Sequence, residues 1–337
     1  MHILHGLEAL PDPARDRGRV VTVGVFDGVH LGHFHVLREV VRRAASRGLE
    51  PAMVTFSGHP KEVLLGQAPP TVTSLDHRLL LFARAGISTA LVLEFTPQLR
   101  ALTAEAFVRQ VLLDGLGVRE LVFGFDSKFG HDRGGNPESL RPLSQELGFA
   151  IDEVPPLRLG GRAVSSTAVR EAVQLGDFDA AATMLGRPIS VLGTVVRGDG
   201  RGRQLGWPTA NLDLHHELHP PAGVYAALAL AGADGEAALQ PAVVHIGARP
   251  TFQSEDLSIE VHLLDWEGDL YGRDLEVFFL ARLRGPQDFP DADALVAQIG
   301  RDAEAARSVV AAAPRQWRIP GAFLPIEGSR AEDLLAS

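Results

Sequence analysis

The chain of 337 residues contains no cysteine, which excludes disulfides and any zinc or iron–sulfur site built on thiolates. It has only two lysines, Lys61 and Lys128, followed by Glu62 and Phe129. A Walker P-loop needs Gly-Lys-Ser/Thr, so ATP chemistry in this chain has to use another scaffold. A basic surplus is missing as well. Lys and Arg number 32 against 42 Asp and Glu, a formal net charge of −10. Up to Gly186 there are 19 basic and 21 acidic residues, and beyond it 13 and 21. Neither part has the positive field that nucleic-acid binding uses, so no nucleic-acid partner is expected, and polyphosphates have to be held by local donors and a metal ion. The opening segment MHILHGLEALPDPARDRGR lacks an apolar signal core, and no apolar run reaches the ~18 residues of a membrane span. A cytoplasmic protein without a membrane partner is expected.

With 45% apolar and 22% charged residues, the chain reads as globular, and its length favours two cores. From Arg19 to Leu147, short β-rich runs alternate with amphipathic stretches. Strands are expected at 19–25, 51–56, 89–94 and 120–125, and helices at 33–47, 75–85, 104–115 and 137–147. That alternation predicts an α/β domain with a parallel sheet covered on both faces, its ligands at the carboxyl ends of the strands. Two short helices, 165–173 and 178–185, are expected to close it at Gly186. From Ile189 to Leu283, alternating runs broken by Gly, Pro and Asp predict a compact antiparallel β-barrel or sandwich. The expected strands are 191–196, 223–230, 242–246, 258–264 and 275–280. An Ala-rich helix over 291–313 follows, and the tail 314–337 is expected to be irregular. The boundaries are thus 1–186, 187–313 and 314–337.

Gly24-Val25-Phe26-Asp27-Gly28-Val29-His30-Leu31-Gly32-His33 joins the first of these strands to the first helix. Its glycines allow close backbone approach, and a helix N-terminus offers free N–H groups to phosphate. His30 and His33, three residues apart, can address one phosphoryl group as charge builds on it. A zinc site through His30, His33 and His35 is the alternative; it needs a further ligand, and none stands in register. Capping and packing histidines are a third reading.

The second informative stretch is Gly198-Asp199-Gly200-Arg201-Gly202-Arg203-Gln204-Leu205-Gly206-Trp207-Pro208-Thr209-Ala210-Asn211. Gly198, Gly200, Gly202 and Gly206 make a loop whose amides can wrap phosphates. Thr209 and Asn211 offer hard oxygen donors of the kind Mg²⁺ takes alongside substrate phosphates. Alternation over Ser258–Leu264 points Glu260 and His262 to one face and Ile259 and Val261 to the other.

Both stretches resemble the prokaryotic bifunctional riboflavin kinase/FAD synthetase family over residues 18–312. Three further segments are similar to family motifs: Thr55-Phe56-Ser57-Gly58-His59-Pro60, Val164-Ser165-Ser166-Thr167-Ala168-Val169-Arg170, and Gly247-Ala248-Arg249-Pro250-Thr251-Phe252. The resemblance implies a Rossmann-like nucleotidyltransferase domain that converts FMN to FAD with ATP. Its site would be made by Gly24, Phe26, Asp27, Gly28, His30, His33, His59, Asp126, Ser165, Ser166, Thr167 and Arg170. It also implies a riboflavin kinase barrel in which Gly198, Gly200, Gly202, Arg203, Gly206, Pro208, Thr209 and Asn211 bind ATP, with Mg²⁺ on Thr209 and Asn211. Arg249, Thr251 and Glu260 would meet the flavin, and Glu260 would be the general base. The substrates implied are riboflavin, FMN and ATP.

The chain departs from the family pattern at Gly58, where Pro is usual, at Ser127, where an aromatic is usual, and at His245, where Asn is common. His215, His216 and His219 are not assigned a role by the resemblance. The rival readings are a riboflavin kinase with a weakened transferase domain, an adenylyltransferase for another small molecule, and a flavin-sensing protein without turnover. Oligomeric state is not legible.

Overall fold

The computed structural model describes residues 1–10, 18–58, 63, 66–214, 218–231, 239–248, 257–314 and 317. The chain divides into two compact units, residues 1–71 with 75–165, and residues 72–74 with 166–337.

The first unit is a six-stranded, all-parallel sheet. Its strands are β1 (His2–His5), β2 (Arg19–Val23), β3 (Glu50–Phe56), β4 (Thr89–Leu93), β5 (Val118–Phe123) and β6 (Ala150–Glu153), in the order β1-β4-β3-β2-β5-β6. Every residue of β2 and β4 is buried, as expected of parallel strands covered on both faces. Helix α1 (Leu31–Arg47) covers β2, β3 and β5 with Leu31, Phe34, Leu37, Val40 and Ala44, and Gly48 ends it in the left-handed region. Helix α2 is Leu75–Arg84. The opposite face is covered by α4 (Ala104–Phe107) and α5 (Pro137–Leu147), with a short α3 (Pro97–Ala101) before them. Residues 108–113, expected to continue one α-helix, instead form a π-type turn that places Val108, Val111 and Leu112 against the sheet. A small hairpin, β7 (Arg158–Leu159) with β8 (Arg162–Ala163), follows β6.

The second unit starts with α6 (Ser166–Leu175) and α7 (Phe178–Leu185). Strands β9 (Ser190–Val196), β10 (Ala210–Asp213), β11 (Gly223–Ala231), β12 (Gln240–Ala248), β13 (Leu257–Leu263) and β14 (Asp274–Arg284) close into an antiparallel barrel in the order β10-β13-β12-β11-β14-β9. A four-residue helix, α8 (Arg201–Gln204), lies between β9 and β10. Strand alternation fills the barrel with Val191, Val195, Tyr225, Val244, Ile259, Val261, Val277 and Phe279. Val169, Val173, Ala181 and Leu185 of α6 and α7 join that same core. Helix α9 (Ala292–Ala312), capped by Asp291 through the Ala294 amide (2.8 Å), packs on the outer wall over Val224, Ala226 and Val243. Of the tail, Pro314 and Trp317 are described, and Trp317 packs against Leu228, Leu230, Phe278 and Val310. Among the described residues no helix is long and apolar enough to cross a membrane.

Candidate active sites

In the first unit the sheet order reverses at β2: β3 lies on one side of it and β5 on the other. Such a switch point opens a crevice at the strands' carboxyl ends. β2 stops at Val23, two residues short of the expected end, because the chain turns sharply there. Phe26 and Val29 hold left-handed conformations (φ 55° and 39°) on either side of Gly28 (φ 76°), and Asp27–Val29 form one 3-10 turn. Bulky residues in that region cost about 1–2 kcal/mol each, so this loop shape is imposed by its surroundings. The Phe26 ring is anchored edge-on against Phe82 (5.9 Å) and tilted against His33 (5.0 Å).

His30 is the N-cap of α1, its Nδ1 accepting from the His33 amide at 3.3 Å. The two imidazoles are stacked, with centroids 3.6 Å apart and planes 16° off parallel. His30 and Asp27 are buried; Gly24 is half-buried. Burial, reinforced by His30 and by the Arg78 guanidinium, pushes the His33 imidazole well below its ordinary range. His33 is therefore a neutral ring, able to donate one N–H at a helix N-terminus that favours anions. Arg78 was not singled out in the sequence. It is buried on α2 and binds the carbonyls of Val25 (2.6 Å) and Phe56 (3.1 Å), tying together the ends of β2 and β3. The available signal was a charged residue among Leu75, Leu79, Leu81 and Phe82 on the apolar side of a helix.

Asp126 follows β5, outside the sheet, and is exposed in the left-handed region (φ 58°), paired with Lys128 at 3.1 Å. Ser127 closes the turn by donating its amide to the Gly124 carbonyl (3.0 Å). Phe129 turns inward and stacks on Phe123 (5.7 Å), while Phe125 is 55% exposed. Ser165 ends the first unit; Ser166, Thr167 and Arg170 lie on α6 in the second. His59 lies outside the described residues.

The second site stands on the outer wall of the barrel, since Glu260 alternates with the inward-facing Ile259 and Val261. β13 is flanked by β10, which sets Asn211 opposite Glu260, and by β12, which sets His245 opposite Glu260. Thr209 donates its hydroxyl to Glu260 Oε2 at 3.1 Å. The glycine loop folds back onto this wall. Gly198 lies against the Asn211 amide, and the Trp207 amide donates to the Gly202 carbonyl (2.8 Å). His262 donates Nδ1–H to the Pro208 carbonyl (2.7 Å) and meets the Trp207 ring edge-on at 5.1 Å. Gly200, Arg203, Gly206 and Pro208 are exposed. The half-buried Thr209 and Asn211, with the nearby carboxylate, form an all-oxygen donor set that suits a hard cation.

The sequence reading missed what fixes the rim. Arg284 makes a two-pronged contact with Asp302 of α9 (2.9 and 3.0 Å), which Gln298 also binds (2.8 Å). The Arg284 guanidinium lies over the Phe289 ring at 5.5 Å. Pairs so distant in sequence leave no local pattern. Arg249 and Thr251 lie outside the described residues, as do His215 and His216; His219 is described, with Nδ1 2.8 Å from the Pro220 carbonyl. Among the described residues no three His, Asp or Glu side chains converge as a metal site.

Two family models match the chain, FAD synthetase over residues 12–168 and riboflavin kinase over residues 185–310. A bifunctional riboflavin kinase/FMN adenylyltransferase from Pseudomonas fluorescens is 39% identical over 92% of this chain and 98% of its own length. One of the same name from Escherichia coli (strain K12) is 38% identical over 91% and 97%. A crystal structure described as a macrolide-efflux protein from Streptococcus pneumoniae superposes with a TM-score of 0.76 at 29% identity, covering 91% of this chain and 99% of that one. With both catalytic modules matched in order and near-full-length relatives on this scale, the chain belongs to the bifunctional riboflavin kinase/FMN adenylyltransferase family.

Proposed function

We propose that this chain makes FMN in its barrel and FAD in its parallel-sheet unit, with ATP as the donor in both steps. In the barrel, the ribityl 5′-hydroxyl of riboflavin attacks the γ-phosphorus of ATP and ADP leaves. Glu260 accepts the hydroxyl proton as the new bond forms. The Gly198–Pro208 loop encloses the phosphates, and Thr209 and Asn211 would hold the Mg²⁺ that enters with ATP, a hard cation that would supply positive charge beside them. Arg249 and Thr251 are assigned to the flavin through the family motif.

In the parallel-sheet unit, a phosphate oxygen of FMN attacks the α-phosphorus of ATP, and pyrophosphate leaves. His30, His33 and the α1 N-terminus donate to the charge that builds there, with Arg78 adding positive potential behind them. Gly24, Phe26, Asp27 and Gly28 shape the loop. His59, Asp126, Ser165, Ser166, Thr167 and Arg170 are assigned to the nucleotide by their motifs. Neither step needs a covalent enzyme intermediate; both rest on positioning and electrostatics.

The observation that carries the reading is the Thr209–Glu260 hydrogen bond with Asn211 set opposite, a base beside hard oxygen donors on one stretch of wall. The test is incubation with riboflavin, ATP and Mg²⁺, resolving the flavins by chromatography over time. FMN followed by FAD is the expected result. FMN accumulating with excess ATP, with reduced flavin also tried, would leave a kinase beside a lapsed transferase, the reading that Ser127 favours. Flavin binding without either product would overturn the proposal in favour of a sensor.

A further inference from the structure

Pro208 and Thr209 stand outside the barrel sheet that the next residues join. β10 pairs with β13 from Ala210 and with β9 from Asn211, and Pro208 has no N–H with which to extend either ladder. Carrying the β10–β13 register back one pair sets Thr209 opposite His262. Directly opposed residues of an antiparallel pair share a face, so Thr209, Asn211, Glu260 and His262 all lie on the outer wall. Two side-chain bonds hold the segment where the ladder does not. The Thr209 hydroxyl donates to Glu260 Oε2 at 3.1 Å, and the Pro208 carbonyl accepts from His262 Nδ1 at 2.7 Å. A carbonyl oxygen can only accept, so the imidazole presents Nδ1–H to it.

The imidazole is itself fixed. Its ring meets the Trp207 indole edge-on at 5.1 Å, and Trp207 packs against Val224 and Val243 of the wall and Ala303 and Ala306 of α9. Trp207 also donates its amide to the Gly202 carbonyl at 2.8 Å, so the glycine loop ends at this anchor. We propose that His262 is a positioning residue for riboflavin phosphorylation: its Nδ1–H holds the Pro208 carbonyl in register with β13, which brings the Thr209 hydroxyl to Glu260 and keeps Thr209 beside Asn211. The inference rests on the roles of Thr209, Asn211 and Glu260 proposed above.

A donor role and a packing role for His262 make different demands on the side chain. Phe keeps a ring against Trp207 but offers no N–H. Asn carries an N–H on the atom next to Cγ, where Nδ1 stands in histidine, but has no ring. Leu has nearly the shape of Asn and neither the donor nor the ring. Losing one neutral hydrogen bond to a backbone carbonyl corresponds to roughly three- to tenfold in an equilibrium constant. Because Thr209 and Asn211 are assigned to Mg²⁺ and ATP, that loss should fall on KM for ATP and leave KM for riboflavin unchanged.

The experiment compares full-length wild type, His262→Phe, His262→Leu and His262→Asn. Amide hydrogen exchange over residues 207–212 is followed in the ligand-free proteins. KM for ATP and KM for riboflavin are then measured in phosphorylation, with FMN adenylylation by the same preparations as the control. The expected result is exchange and a KM for ATP that both rise roughly three- to tenfold in the Phe and Leu variants and stay within about twofold of wild type in His262→Asn. KM for riboflavin and adenylylation should not move. Retention by Phe with loss in Asn, or equal losses in all three variants, would overturn the inference by reducing His262 to a packing role. Wild-type behaviour of every variant, with an active wild type, would overturn the inference alone. Absence of phosphorylation by the wild type would overturn the reading of Glu260 and Thr209 and this inference with it.

Discussion

The two units hold phosphate chemistry in opposite ways. In the parallel-sheet unit, the core of the proposed site is one continuous segment from Gly24 to His33. There the strand-to-helix turn presents amides and two stacked imidazoles together. In the barrel, the proposed site is assembled across strands: Thr209 just before β10, Asn211 on β10, Glu260 on β13 and its cross-strand partner His245 on β12, with Arg284 bound to Asp302 of α9 nearby. The barrel interior is filled with apolar side chains, so its chemistry has to sit on the outer wall beneath a folded-back loop and a docked helix. An open parallel sheet already has a crevice at its switch point; a small closed barrel has none and must build one outside.

The sharpest way to break the comparison is to cut the chain. Val169, Val173, Ala181 and Leu185 are buried in the barrel's core, and each contributes about 1.5–3 kcal/mol for the larger side chains. Their joint loss is of the order of a domain's whole stability. A fragment of residues 166–337 is therefore expected to give a cooperative thermal transition, and one of 187–337 none. Equal transitions would return α6 and α7 to the first domain, where the sequence reading put them.

Within the intact chain the two sites should fail independently. Glu260→Gln is expected to lower riboflavin phosphorylation about 10²–10⁴-fold and to leave FMN adenylylation unchanged, measured by separate assays started from riboflavin and from FMN. The mirror experiment, replacing His30 and His33 by Ala, should lower adenylylation about 10²–10³-fold with phosphorylation intact. Cross-effects in either assay would show that the units depend on each other.

Smaller effects sharpen the contrast in how each site is held. Asp302→Ala leaves the Arg284 guanidinium at the barrel–helix seam without its carboxylate. It should lower the stability of the second unit by about 3 kcal/mol, read by chemical denaturation. In the first unit, His33 binds its proton less readily when folded than when unfolded. The unfolded chain then takes up more protons, so stability falls as pH drops below the ordinary imidazole range. Between about pH 7 and pH 5.5, the first-unit transition of the wild type should fall by about 2–4 °C more than that of His33→Gln, followed by calorimetry.

How much was legible follows the same division. Strands β2 to β5 and helices α1, α2 and α5 of the first unit were readable because burial on both faces forces long apolar runs, and α1 keeps a helical period. Five short strands, β1, β6, β7, β8 and β10, escaped because two to four residues hold too little alternation to register. The π-type turn at 108–113 carries helix-forming residues and no marker of its own. Glu260 was readable as facing away from the core; that Thr209 would meet it was not, because the two are 51 positions apart.

By itself, then, the sequence determined the class of each unit and the residues of the local motifs, since periodicity and turn chemistry act over a few neighbouring residues. It also determined what was excluded: thiolate chemistry and a Walker P-loop. Only the tertiary structure decided which side chains share a wall. It set His245 against Glu260, brought Arg78 beneath two loops and joined Arg284 to α9. It also carried α6 and α7 into the barrel's core. Those outcomes depend on strand register and on which faces remain to be buried once the sheets have closed, and both are settled by contacts between residues far apart in the chain.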